Sequence, residues 1–139
     1  SDVRKLYPYE IYDKLEFDEV LETGGDSFAR YMVRLREMQQ SIRIIEQLID
    51  NIPEGDTKTA TKAVIKLPKG EFYQRVETAR GELGVYINST GNKNPYRVKF
   101  RSPGFSNLSI LNHISKDVLI GDLVATMASF DFVIPDIDR

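Results

Sequence analysis

The residues of this chain best suited to chemistry are three carboxylates near its C-terminal end. Asp131, Asp136 and Asp138 stand in a short apolar stretch. Carboxylate oxygens are the ligands that Ca²⁺ and Mg²⁺ prefer. The spacing of the three aspartates matches no known cation-binding loop. We therefore favour the interpretation that they are solvated, and we predict no metal site.

Other common catalytic groups are scarce. The chain contains no cysteine and one histidine, His113. This excludes disulfides, thiolate-held zinc or iron–sulfur centres, a cysteine nucleophile and any multi-histidine metal site. The segment Gly81-Glu82-Leu83-Gly84 lacks the glycine count and the following helix of a phosphate loop. No catalytic residue is therefore predicted.

Composition and charge narrow the class of protein. The 139 residues are 41% hydrophobic and 29% charged, which is ordinary for one globular domain. The net charge of −2 gives no electrostatic basis for a nucleic-acid partner. No run of about 18 apolar residues is present, so no transmembrane segment is predicted.

Two stretches of alternating residues predict a hairpin. Leu83, Val85 and Ile87 alternate with other residues before a turn-rich segment, and Tyr96, Val98 and Phe100 alternate after it. Period-two alternation gives each face of a sheet its own set of side chains. The second strand carries Arg97, Lys99 and Arg101 on its other face, which is either solvated or opposite something acidic. A further strand is predicted over 71–78 and a short edge strand over 63–67. Together with the hairpin, they predict a small antiparallel sheet over residues 63–102.

A long helix is predicted over residues 26–51. Gly24-Gly25 interrupt the chain, Asp26 is a favourable N-cap, and apolar residues recur from Phe28 to Ile49 at spacings of three and four. Its charged positions form either a solvated face or part of a helical bundle whose other members are absent. Residues 1–25 show neither period, which predicts an irregular arm.

Short helices are predicted after the sheet. Phe105 to Ile114 has helical spacing, and Ser115 is a candidate cap for a second helix ending near Ser129. The fold class is therefore α+β, with a long N-terminal helix, a small antiparallel sheet and short C-terminal helices.

Several blocks of residues, in order, carry a resemblance to a known family. They include Pro8-Tyr9, Gly25-Asp26, Pro68-Lys69-Gly70-Glu71, Ala79-Arg80-Gly81-Glu82-Leu83-Gly84, Pro95-Tyr96-Arg97-Val98-Lys99 and Asp138-Arg139. The chain resembles the C-terminal part of the D subunit, the quinone-site subunit, of respiratory NADH:quinone oxidoreductase (complex I), a homologue of the nickel–iron hydrogenase large subunit. Two departures are the short segment 56–67, where the family has a longer insertion with a helix, and Pro135, where it usually has glycine.

The resemblance implies a fold and a function. Residues 1–139 would be a single C-terminal fragment of a larger subunit with a hydrogenase-large-subunit-like fold, and 105–139 would hold helices and a quinone-site tail. By resemblance, the residues bordering the quinone pocket are Asp131, Val133, Asp136 and Arg139. The tail has no thiol, so a nickel–iron site is excluded, and the fragment would hold no redox centre. Quinone would be the substrate of the complete complex, which binds NAD on another subunit.

The resemblance also implies partners and a location. Contact with neighbouring subunits, or internal pairing with Glu77 and Glu82, is predicted for Arg80, Arg97, Lys99 and Arg101, since buried charges need partners. The expected partners are peripheral-arm subunits, especially the small iron–sulfur subunit, and a membrane-arm subunit near the quinone site. The expected location is peripheral, at the cytoplasmic face of a bacterial plasma membrane. The isolated fragment is expected to be inactive with a frayed C-terminus, and a ligand-free scaffold domain of hydrogenase-like ancestry is the alternative.

Overall fold

The computed structural model describes residues 1–138 and has an α+β architecture. The elements in chain order are α1 Val3–Leu6, a 3₁₀ turn Tyr12–Lys14, α2 Ser27–Ile49, β1 Gly70–Thr78, β2 Gly81–Ser89, β3 Arg97–Arg101, α3 Pro103–Leu108, α4 Leu111–Ile114, α5 Ile120–Ser129 and α6 Ile134–Ile137. The predicted α+β class with a small antiparallel sheet and several helices is confirmed. Arg139 lies outside the described residues.

Helix α2 dominates the structure and lies within the predicted range 26–51. Asp26 is its N-cap, and its Oδ1 atom accepts a hydrogen bond of 2.7 Å from the backbone N–H of Ala29. The helix has 23 residues, and at 1.5 Å per residue it is about 35 Å long. Much of its apolar stripe is exposed: Phe28, Tyr31, Leu35, Met38, Ile42, Ile45 and Ile49. The helix therefore presents an apolar surface that residues 1–138 do not cover.

The sheet has the strand order β1-β2-β3 and is antiparallel throughout. The two-residue turn Ala79-Arg80 joins β1 to β2, with Thr78 opposite Gly81 in the register. Gly81 has φ +124°, which an L side chain rarely adopts, and a Cβ there would lie 3.3 Å from that of Pro103. The turn therefore depends on glycine and projects Arg80 from the end of the sheet.

The predicted edge strand over 63–67 is wrong. This segment has no regular structure and belongs to the long connection between α2 and β1. A strand needs a neighbour for its backbone groups, and β1 pairs only with β2 in the described sheet. The segment is instead held by the hydroxyl of Ser89, which donates to the Leu67 carbonyl oxygen at 3.1 Å.

The C-terminal helices also differ from the prediction. The helix expected over 105–114 is divided into α3 and α4, and Ser115 is the C-cap of α4 instead of the first cap of the next helix. Helix α5 begins only at Ile120, because Asp117 has φ +59° and interrupts the helical backbone. The arm 1–25 is irregular except for α1 and the 3₁₀ turn.

The buried core is small. Its hydrophobic members are Val3, Phe17, Ala29 and Ile44. Two come from the arm and two from α2, and the arm also contacts β1, since the backbone N–H of Val3 donates to Oε2 of Glu77 at 2.8 Å. None of the helices described in residues 1–138 is both long enough and apolar enough to cross a membrane.

Candidate functional site

The tail begins where α5 ends, at Asp131. This residue has φ +54°, and its backbone N–H donates to the Ala128 carbonyl oxygen at 3.1 Å. Arg80 reaches it from the β1–β2 turn, and its Nε atom lies 3.1 Å from both the Asp131 carbonyl oxygen and Oδ2. Asp131 is therefore linked to the end of the sheet as well as to α5.

This contact corrects one of the predicted pairings. Arg80 was expected to bind neighbouring subunits or to pair with Glu77 or Glu82, and among the described residues its acidic partner is Asp131. Both side chains keep more than a third of their surface exposed, at 39% and 45%. An exposed ion pair of this kind contributes about 0–1 kcal/mol. The pair therefore fixes geometry more than it adds stability, and a contact of Arg80 with another subunit stays a prediction.

Two arginines of α2 also reach the end of α5. Arg30 donates from Nε to the Ser129 hydroxyl at 2.8 Å, and its guanidinium lies over the Phe130 ring, 4.4 Å from the centroid. Arg34 donates from Nη2 to the Ser129 carbonyl oxygen. Three guanidinium groups, two from α2 and one from the β1–β2 turn, thus meet at residues 129–131.

The rest of the tail is folded back onto α3. The Ser102 hydroxyl, which is buried, donates to Oδ2 of Asp136. A Cβ atom on Gly104 would lie 3.2 Å from the same oxygen, so glycine allows the close approach. Val133 precedes α6 and is half-buried. The expectation of a frayed tail is therefore wrong up to Asp138, because the Ser102–Asp136 hydrogen bond and helix α6 hold this part of the tail in place. The predicted quinone-site residue Arg139 lies outside the described residues.

An open groove of about 810 Å³ runs between α2, the β1–β2 turn and the end of α5. Its lining residues are Ser1, Arg4, Tyr12, Glu22, Gly25, Ala29, Arg30, Val33, Arg34, Glu37, Met38, Ser41, Glu77, Thr78, Ala79, Arg80, Gly81, Asn107, Phe130 and Asp131. Asp131 and Arg80 are thus brought together in this groove. Val133 and Asp136 are not among its lining residues.

Acidic side chains from two elements line the same groove. Desolvation by burial raises the pKa of Glu77 above its ordinary value, although the backbone N–H of Val3 donates to its Oε2 at 2.8 Å and opposes the shift. Desolvation by burial raises the pKa of Glu37, and the negative charge of Asp2 raises it further. The groove therefore combines guanidinium groups with two carboxyl groups that hold protons more readily than usual.

Asp2 behaves differently because it has a basic partner. Burial by itself would raise its pKa, but hydrogen bonds from the Arg4 side chain and backbone outweigh that effect and lower it. Arg4 donates from Nη2 to Oδ2 at 2.7 Å and from Nε to Oδ1 at 3.0 Å, a two-point contact. The N-terminal arm therefore contributes a fixed ion pair beside the groove.

The α2 residues of the groove were not identified from the sequence as site residues. Arg30, Arg34, Glu37 and Ser41 are spaced by four, three and four positions, which places them on one face of a helix. This spacing was the available signal. It could not show which distant segment would face it.

The basic residues of β3 lie apart from the groove. Arg101 donates from Nη1 to Oε1 of Glu82 at 2.6 Å, and Nη1 of Arg75 lies 3.6 Å from the other Glu82 oxygen. The predicted internal pairing with Glu82 is confirmed for Arg101, and it joins side chains of all three strands. Arg97 and Lys99 are exposed, and their contact with another subunit stays a prediction.

No three of the histidine, aspartate and glutamate side chains within residues 1–138 are placed to hold a metal ion. Asp131 and Asp136 instead have separate partners, Arg80 and Ser102. Two of the tail's carboxylates, those of Asp131 and Asp136, thus help to fix the position of the tail.

Comparison with known proteins gives consistent results. A family model described as "Respiratory-chain NADH dehydrogenase, 49 Kd subunit" matches residues 1–65 and 60–139. The C/D subunit of NADH-quinone oxidoreductase from Bacteroides fragilis is 51% identical over 99% of this chain and 26% of its own length. The D subunit of NADH-quinone oxidoreductase from Desulfotalea psychrophila is 50% identical over 99% of this chain and 37% of its own length.

A solved structure shows the same fold. A chain in the structure of the membrane-bound sulfane sulfur reductase, an archaeal respiratory membrane complex, matches with a TM-score of 0.90 and 35% identity. The match covers 100% of this chain and 39% of that one. The chain thus spans between 26% and 39% of the length of these three proteins.

Proposed function

The chain belongs to the family of the 49 kDa subunit of respiratory-chain NADH dehydrogenase, and we propose that it forms part of a quinone-binding cavity in such a complex. Its tail, Asp131 to Arg139, borders the quinone, and the complete complex couples quinone reduction to proton translocation. The proposed quinone-contacting residues are Asp131, Val133, Asp136 and Arg139.

The observation that carries this proposal is the anchoring of Asp131. Arg80 holds both its backbone oxygen and its carboxylate, at 3.1 Å each. Phe130 and Phe132 stack nearby with centroids 5.5 Å apart, and Val133 follows them. Ligand pockets are mostly apolar with a few fixed polar groups, and this segment offers that combination.

The proton-coupling part of the proposal draws support from the acidic groove residues. Glu37 and Glu77 have raised pKa values. A carboxyl whose pKa lies closer to neutrality is better suited to accept and release protons. Glu37 and Glu77 line the same groove as Asp131. A change in the charge of either glutamate would therefore alter the electrostatic environment of Asp131, at the start of the tail.

The proposed role includes no redox centre on this segment. A nickel–iron site of the hydrogenase kind needs thiolate ligands, and the 139 residues contain no cysteine. The residues present therefore do not fit such a centre, although we propose that the fold is of the hydrogenase large-subunit kind. Electrons would reach the quinone from an iron–sulfur subunit, after entry from NAD(H) on another.

The proposed setting follows the relatives. They are subunits of NADH-quinone oxidoreductase from bacteria. We place this segment in the peripheral arm, against the small iron–sulfur subunit and close to a membrane-arm subunit, at the cytoplasmic face of the plasma membrane. Arg80, Arg97 and Arg101 are the proposed interface residues.

Val133→Met in the complete complex tests the proposal. The longer side chain should change quinone KM or the sensitivity to quinone-site inhibitors, while the NADH:ferricyanide rate, which reports electron entry, stays unchanged. Val64→Met is a matched control, because Val64 lies in the exposed connection before β1. If Val133→Met leaves quinone reduction and inhibitor sensitivity at the control level, the tail does not border the quinone.

A scaffold without a ligand is the second candidate function. The specific observation in its favour is the structural match to a complex described as a sulfane sulfur reductase. In that case the groove would be covered by protein, and both Val133→Met and changes within the groove would alter assembly without a selective effect on quinone KM.

A further inference from the structure

Helix α2 is tied to the start of the tail by a set of contacts outside the proposed quinone-contacting residues. We call Ser129 and Phe130 the tail junction. Arg30 contacts both, through a 2.8 Å hydrogen bond to the Ser129 hydroxyl and through the Phe130 ring. Arg34 donates to the Ser129 carbonyl oxygen. These contacts join residues that are 99 and 95 positions apart in the chain.

The tail junction is a place where guanidinium groups have a clear physical effect. The last carbonyl oxygens of a helix have no N–H partners within the helix, and the helix dipole makes this end negative. Donation by Arg34 satisfies one such oxygen at the end of α5. The neighbouring Asp131 has φ +54°, a conformation that costs a non-glycine residue free energy unless its surroundings hold it.

Arg30 is itself held in a fixed orientation. Its Nη1 donates to the Gly25 carbonyl oxygen at 3.0 Å and its Nη2 to the Ser27 hydroxyl at 3.1 Å. Ser27 is the first residue of α2, and Gly25 directly precedes the N-cap Asp26. The Nη1 and Nη2 atoms of the planar guanidinium are therefore held by these two residues. Its Nε atom and its face contact the tail junction.

We propose that Arg30 and Arg34 are positioning residues for the quinone site. They transmit the position of α2 to the tail junction and so fix the direction in which Asp131 and Val133 leave α5. This inference rests on the proposed function, since it gives these arginines a role at the same site without contact to the quinone. A side chain displaced by about 1 Å is enough to impair a reaction that depends on orientation.

Arg30→Gln in the complete complex is the principal test. Glutamine is too short to keep the donors at Gly25, Ser27 and Ser129 together, and it loses the charge over Phe130. We expect quinone KM to rise about fivefold, which corresponds to about 1 kcal/mol, with a smaller change in kcat and an unchanged NADH:ferricyanide rate. Arg30→Lys should recover only part of the effect, because lysine keeps the charge but not the planar fork.

Arg43→Gln provides a matched control on the same helix. Arg43 pairs with Glu16 and Asp18 of the arm, at 3.4 and 3.2 Å, and has no contact with the tail junction among the described residues. This variant should leave quinone KM unchanged. If Arg30→Gln and Arg43→Gln change quinone KM equally, the positioning role is refuted.

A milder variant covers the case in which Arg30→Gln prevents assembly. Ser129→Ala removes the hydroxyl that accepts from Arg30 and leaves the carbonyl oxygen that accepts from Arg34. It should raise quinone KM about twofold to threefold, and no change in quinone KM would contradict the proposal. If Val133→Met alters quinone kinetics while Ser129→Ala and Arg30→Gln do not, the positioning role fails and the proposed function stands. If none of the three alters them, both fail.

Discussion

The hydrogen bond from Ser102 to Asp136 gives the sharpest prediction about the tail. Ser102→Ala removes a hydroxyl that donates to the Asp136 carboxylate. Ser102 is 6% exposed, so water can replace its hydroxyl only in part. A hydrogen bond to a charged group contributes about 1.5–3 kcal/mol, and Asp136 is half-buried, which favours the lower value. About 1.5 kcal/mol corresponds to roughly a tenfold increase in the population with α6 detached.

Amide hydrogen exchange of the complete complex measures this population. The backbone N–H groups of Asp136 and Asp138 donate to Val133 and Ile134 at 3.0 and 2.9 Å, and these bonds break when α6 unfolds. In Ser102→Ala, both amides should exchange about tenfold faster, because exchange follows the local opening equilibrium. Ser109→Ala is the matched control, since its hydroxyl is exposed and donates locally, to the Ser106 carbonyl oxygen of α3.

The result that would refute this reasoning is equally specific. If Ser102→Ala exchanges at the rate of Ser109→Ala at both amides, the hydroxyl does not hold α6. Packing of α6 on α3 would then be sufficient to keep the tail in place. Quinone KM in the same variant would show whether movement of α6 is felt at the proposed site.

Two further predictions concern charged residues of the groove. Arg80→Glu places a second carboxylate beside Asp131 and should impair assembly of the complex, measured by native electrophoresis; normal assembly with full activity would show that Arg80 has neither an interface role nor a structural one. Glu77 has a raised folded-state pKa, so its contribution to stability is complete below its unfolded value near 4.5 and is lost as pH rises through the folded pKa. Glu77→Gln should therefore flatten the fall in Tm above pH 4.5 in the purified full-length protein, and an unchanged slope would contradict the shift.

Elements with strong local signals could be predicted from the sequence. Helix α2 follows from the N-cap Asp26 and a long run of helical spacing. The strands follow from alternation, in residues 71–78 for β1 and on either side of the turn-rich segment 89–95 for β2 and β3. In each case, local propensity and the final packing favour the same structure. The segment 63–67 failed this test, because its short apolar run had the composition of a strand but no neighbouring strand to pair with.

The candidate site was less predictable than the fold. Arg80 and Asp131 were each identified from the sequence, but by separate arguments, and nothing local showed that they meet across 51 positions. Arg30 and Arg34 resembled ordinary charged residues of a helix surface. The role of these two arginines depends on the position of the end of α5. The sequence correctly predicted that a helix ends near Ser129, but it did not predict that this end lies beside α2.

The charged and apolar side chains of this segment differ in how far the described chain itself provides their partners. Many charged groups have partners within the described chain, as shown by Arg80 with Asp131 and by Glu82 with Arg75 and Arg101. The apolar stripe of α2 is instead exposed, from Phe28 at 68% to Ile49 at 60%. Full burial of one large apolar side chain contributes about 1.5–3 kcal/mol. Covering the stripe would therefore supply on the order of 10 kcal/mol, which is comparable to the net stability of a whole domain.

This difference separates two classes of mutational effect. Changes along the exposed stripe of α2 should act on association with whatever covers it, since the free energy there is apolar and large. Changes at the arginine face of the same helix should act on the tail, since the contacts there are polar, directional and individually small. One helix thus serves both purposes through different faces, and quinone kinetics measured on assembled complexes can distinguish them.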